Sequence, residues 1–120
     1  MKYLQFDQAK TYLKLGKSIE QWIGAEKKDD YVILKWITIA KERDSLYTVG
    51  YIECFDEGSE DYLDIYEFSA VDPDEPFGLF NQFPSLIDAI AFSLDTYSLS
   101  KDRFLVSGMI QDEYLNYLKS

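Results

Sequence analysis

The residues of this chain that could do chemistry are carboxylates, one thiol and a large set of phenols. Asp56, Glu57, Glu60 and Asp61 crowd one predicted turn, the kind of oxygen cluster that a hard cation such as Ca²⁺ seeks. They do not follow the calcium-loop order Asp-x-Asp-x-Asp-Gly with a distant Glu. Asp72 and Asp74 invite the same idea, yet Pro73 between them and Pro76 beyond them are turn chemistry. Paired carboxylates also hydrolyse glycosides, but only their separation across a cleft selects a working pair, and 120 residues leave little room for that cleft. Cys54, the single cysteine, lies beside Glu53 in a predicted strand, with no base or positive group to make it a thiolate nucleophile. It reads as structural, and it cannot form an intramolecular disulfide. The absence of histidine removes every site built on imidazole. Gly16-Lys17-Ser18 lacks the phosphate loop's upstream glycine, with Thr11 in its place. No catalytic set, metal site or cofactor is expected.

The charge is more informative. Twelve Lys and Arg against 22 Asp and Glu give a net charge of −10, unevenly spread. Residues 1–43 hold nine bases and six acids, and residues 101–120 three of each. Between Asp44 and Ser100 there is no Lys or Arg, while 13 carboxylates occur. A field of that sign repels nucleic acid and anionic membrane, which need a basic footprint. It can keep the chain dispersed, or it can form a docking surface for a basic protein, speeding encounter in a salt-sensitive way.

Phenols stand among these acids. Tyr47, Tyr51, Tyr62 and Tyr66 alternate near Glu53, Asp64 and Glu67. Tyrosine anchors interfaces well because it buries a rigid ring at small entropic cost. The bland reading is that the rings cap a core with only their hydroxyls wet.

These residues must be positioned by a chain long enough to bury about two-thirds of its surface. Its 47% hydrophobic content is too rich for disorder. Asp7 is expected to cap a short helix over about 8–15 that stops at Gly16, and Ser18 to cap a second turn or helix ending at Gly24, with Trp22 and Ile23 inward. Tyr31–Ile39, β-branched, aromatic and almost continuously apolar, predicts a buried central strand. Leu46–Phe55 predicts a second strand, and Asp56–Glu60 a hairpin loop returning through Tyr62–Ser69 as an antiparallel third. The two prolines make Asp72–Gly78 a loop. Ser85-Leu86-Ile87-Asp88 is a cap pattern opening a helix through Tyr97. Arg103–Val106 predicts a short edge strand, and Gln111–Lys119 a closing helix with Tyr114, Leu115 and Leu118 inward. The sum is a single α+β domain over 1–120, with an antiparallel sheet of about three to four strands and the N- and C-terminal helices covering one face. No apolar run approaches a membrane span, and the start Met1-Lys2-Tyr3-Leu4-Gln5-Phe6-Asp7 has no signal-peptide stretch. The expected location is the cytoplasm.

Small size, the acidic middle, the helix-sheet-helix layout and the absence of a catalytic set resemble the small bacterial immunity proteins that neutralise toxin domains, including those of contact-dependent growth inhibition. The stretches Gly16–Ile23 and Gly108–Tyr114 look like family motifs but carry no assigned role. The resemblance implies a cognate toxin, often a nuclease, whose basic cleft an acidic protein blocks by imitating phosphate charge. The resulting expectation is a non-enzymatic inhibitor binding a basic partner through Tyr51, Glu53, Asp56, Glu57, Glu60, Asp61, Tyr62, Asp64, Tyr66 and Glu67. The alternatives are an adaptor or regulatory domain that binds a peptide or protein, perhaps as a homodimer through a strand edge, and an acidic-site Ca²⁺ binder or hydrolase.

Overall fold

The computed structural model describes residues 3–76 and 78–120. Met1 and Lys2 of the chain's start and Phe77 of the proline-containing loop lie outside the described residues.

Five strands among the described residues, rather than the expected three to four, form one antiparallel sheet: β1 (Ile19–Lys27), β2 (Val32–Lys41), β3 (Tyr47–Phe55), β4 (Leu79–Phe83) and β5 (Leu105–Val106), in the order β4-β3-β2-β1-β5. Three α-helices accompany it: α1 (Phe6–Lys14), α2 (Leu86–Tyr97) and α3 (Ile110–Lys119). The class is α+β. No helix among the described residues is long and apolar enough to cross a membrane.

β2 is central, as its composition predicts, and the reason is that both faces of the sheet are covered. Side chains alternate along a strand, so Ile37 and Ile39 point one way and Leu34 and Trp36 the other. The first pair, with Ile19, Tyr47 and Val49, packs on Ala9 and Leu13 of α1 and on Leu86, Ala89 and Ile90 of α2. The second, with Cys54 and Leu105, packs on Ile65 and Phe68 and on Ile110 and Tyr114 of α3. The helices therefore flank the sheet on both sides, which corrects the expectation of a single covered face.

Several local expectations also change. α1 begins at Phe6, and its first turn is closed by Gln8, whose Oε1 accepts the Gln5 N–H at 3.0 Å, with Asp7 inside the helix. The segment expected as a second helix at Ser18–Gly24 is instead β1, because Ile19 to Trp22 pair with Ile39 to Trp36 across the sheet. A bulge between Trp22 and Gly24 shifts the register. Tyr62–Ser69 is not a third strand. It holds a 3-10 helix at Ile65–Glu67, and the chain rejoins β3 just after it through the isolated bridge Cys54↔Ala70. β4 takes the antiparallel place beside β3 instead, from Tyr47↔Phe83 to Tyr51↔Leu79. The Ser85 cap of α2 is as expected, its Oγ accepting the Asp88 N–H at 3.1 Å.

Candidate interaction surface

Residues 56–70 form a strap across the Leu34–Trp36 face. Its base is closed by backbone bonds, Phe55 N–H to Ser69 O at 2.9 Å and Val71 N–H to Glu53 O at 3.2 Å. Within it Ser59 and Tyr62 exchange backbone bonds of 3.1 and 2.9 Å. Gly58 makes the tight part possible: a Cβ there would stand 2.3 Å from Tyr62 O, 2.5 Å from the Phe68 ring and 2.8 Å from the Tyr114 hydroxyl.

Phenol to carboxylate hydrogen bonds fasten this strap. The Tyr114 hydroxyl donates to Asp56 Oδ1. Tyr66 donates to Glu20 Oε1 at 2.9 Å, and the same oxygen accepts the Gly108 N–H at 3.0 Å. Glu57 Oε1 accepts the Ser69 N–H at 2.7 Å. The Tyr66 ring stands edge-on to Trp36 with centroids 5.3 Å apart. Burial pushes the Tyr66 and Tyr114 hydroxyls up, and the neighbouring carboxylates push the same way, so each phenol remains a donor. Glu20 is itself buried, and loss of solvent raises its carboxyl above the ordinary value even though Tyr66 and Gly108 pull it down.

The ten residues expected to form one docking face thus divide. Tyr51 and Glu53 lie on the α2 side of β3, bonded to each other at 2.6 Å, with the Tyr51 ring stacked on Tyr97 at 4.7 Å. Asp56, Glu57 and Tyr66 hold the strap together. Glu60, Asp61, Tyr62, Asp64 and Glu67 remain on its outer side, with Tyr62 48% exposed, Glu60, Asp61 and Glu67 exposed, and Asp64 half-buried. The partners Glu20 and Tyr114 escaped sequence reasoning. They lie 46 and 58 residues from Tyr66 and Asp56, and no local pattern announces a bond over that separation.

The strap's charge is not neutralised from within. Salt bridges join Lys10 to Asp7, Lys28 and Lys35 to Glu26, and Arg103 to Glu113. Glu26 is held down to about 2 by hydrogen bonds from Lys28 and then Lys35. Among the described residues, none of the 13 carboxylates between Asp44 and Ser100 is in a salt bridge.

Cys54 is buried beneath the strap, beside a cavity of about 170 Å³ lined by Trp36, Ile52, Cys54, Ile65 and Phe68 among others. Burial pushes its thiol up to about 12, and the Glu57 and Asp56 charges add to the effect, so it stays protonated at neutral pH. No group of three His, Cys, Asp or Glu side chains among the described residues is arranged to hold a metal ion. Of the four acids crowded in sequence, Asp56 and Glu57 are taken up by hydrogen bonds to Tyr114 and Ser69, and Glu60 and Asp61 are exposed. No protein-family model, curated protein or solved structure matches this chain.

Proposed function

We propose that this protein is a non-enzymatic immunity protein of the bacterial cytoplasm that binds and blocks a basic toxin domain, with the outer side of the strap as its contact surface. The observation that carries the reading is the unneutralised carboxylate set around Tyr62. Glu60, Asp61 and Glu67 are exposed, have no cationic partner among the described residues, and sit on backbone fixed by the Tyr114 and Tyr66 bonds beneath them. Such a surface steers a cationic protein toward itself before contact. On contact the Tyr62 ring, already resting on Phe68 with centroids 5.7 Å apart, buries rigid area without a large ordering cost. A toxin cleft built to hold phosphates meets carboxylates in their place.

The test is capture of the tagged protein's partner from extracts of its native host, at low and high salt, followed by assay of the captured protein's activity with and without this chain. A basic partner whose activity is restored as salt releases it is the expected result. The triple variant Glu60→Lys/Asp61→Lys/Glu67→Lys should slow association by about tenfold or more, and Tyr62→Ala should weaken binding by about 2 kcal/mol. Equal capture by the wild type and the triple variant, or a partner with no basic surface, would sink the reading.

A further inference from the structure

The two edges of the sheet are finished differently. β5 is two residues long, too short to accept a further strand, and Arg103 and Lys101 precede it closely in sequence. β4 is Leu79-Phe80-Asn81-Gln82-Phe83, five residues paired to β3 in continuous register. It contains no charge, no proline and no bulge, the devices by which natural sheets blunt an edge. Leu79 is 45% and Phe80 53% exposed, and they project to opposite faces, so an added strand would find an apolar neighbour on each.

The ends of this edge differ in charge. At its start the turn Asp72–Glu75 folds back on itself, with Asp74 N–H donating to Asp72 Oδ1 at 2.9 Å and Gly78 N–H to Glu75 O at 3.1 Å. Asp72, Glu75 and Glu53 thereby line the same pocket as Leu79. Gly78 allows this close turn: its φ is +99°, and a Cβ would meet Tyr51 O at 2.5 Å. The far end lies beside Tyr47, whose partner on β2 is Lys41.

We infer that the β4 edge accepts an extended segment of a basic partner by strand addition, antiparallel to β4, with apolar residues over Leu79 and Phe80 and Lys or Arg at the segment's C-terminal end against Asp72 and Glu75. This deepens the immunity reading, since the segment belongs to the same basic partner, but uses a surface distinct from the strap. A second copy is disfavoured as occupant, because antiparallel pairing of β4 with itself would bring two chains of charge −10 together with no basic residue in either strand.

The probe is a labelled twelve-residue peptide of Val-Val and Thr-Thr pairs, which present Val on both faces, with three Lys at its C-terminal end, followed by fluorescence anisotropy. Saturable binding is expected, reduced about tenfold or more when alternate peptide amides are N-methylated, a change that removes edge hydrogen bonds and keeps the charge. Moving the three Lys to the N-terminal end should weaken binding several-fold. Leu79→Lys/Phe80→Lys should abolish it, whereas the triple strap variant, which loses the toxin, should still bind the peptide. Binding indifferent to N-methylation or to the position of the lysines would overturn the inference. So would sedimentation showing a wild-type dimer that the Leu79→Lys/Phe80→Lys variant dissociates, since the occupant would then be a second copy.

Discussion

The two faces of the sheet are built on different principles. On the α1 and α2 face, regular helices satisfy their own backbone and present aliphatic side chains, so Ile19, Ile37, Ile39 and Val49 meet Ala9, Leu13, Ala89 and Ile90 with little polar chemistry among them. On the other face α3 covers only part of the sheet, and Leu34, Trp36 and Cys54 also lie under a strap that has one 3-10 turn and no longer element. The strap's polar groups cannot all be satisfied by regular backbone bonding, so phenols and carboxylates do that work: Tyr114 to Asp56, Tyr66 to Glu20, and Glu57 to the Ser69 N–H. A carboxylate on this face is therefore one of two things, a fastener or a free charge, and the two alternate within a dozen residues.

The largest expected effect belongs to the helical face. Leu13 is fully buried among aliphatic neighbours, so Leu13→Ala should cost about 3 kcal/mol. It should do so in one cooperative transition when denaturant unfolding is followed by circular dichroism. A loss below about 1 kcal/mol would mean that α1 is not part of the core.

Next is the fastener. Tyr114→Phe removes the hydroxyl that bonds Asp56 and leaves the ring in place, and hydrogen bonds to charged groups are worth about 1.5–3 kcal/mol. The matched control on the other face is Ser93→Ala. Ser93 Oγ only donates to Ala89 O within its own helix at 2.8 Å, and its removal should change stability by less than about 0.5 kcal/mol. Cys54 supplies a local readout, because its thiol reacts only when the strap lifts. Tyr114→Phe should speed labelling by a thiol reagent on the order of tenfold, with Ser93→Ala leaving the rate unchanged. Equal rates in the two variants would show that the Tyr114 hydroxyl does not hold the strap over Cys54.

The same contrast explains how much of the fold is legible in the sequence. The central strand was legible because burial on two faces leaves a continuous apolar run, and α2 because Ser85 and Asp88 form a cap within four residues. β1 was not. Ser18 followed by polar and apolar residues imitates a helix start, and only Trp22↔Trp36 and its neighbouring pairs decide for a strand. Tyr62–Ser69 has the aromatic content of a strand, but the rings of Tyr62 and Phe68 pack on each other, and Phe68 on Tyr114, which bends the chain into a strap. β4 was hidden by its brevity and by the prolines before and after it. At the candidate site the acids and phenols were visible as types, while their division into fasteners and free charges depends on Glu20 and Tyr114, which the fold alone brings near.

The smallest expected effect is the pH signature of one fastener. Glu20, a fastener, has its folded-state pKa raised by burial above the ordinary 4.5. Between that value and the raised one the folded chain retains a proton that the unfolded chain has released. By linkage, the contribution of Glu20 to stability falls as pH rises through this window and is level above it. The checking measurement is the stability difference between wild type and Glu20→Gln from urea melts at pH 4 and pH 7, which bracket the window, and in which the titration of other groups cancels. Glu20→Gln should be better tolerated at pH 7 than at pH 4. A Glu20→Gln difference independent of pH would mean that Glu20 is as well solvated as the outer carboxylates, and that the strap's inner edge is open to water.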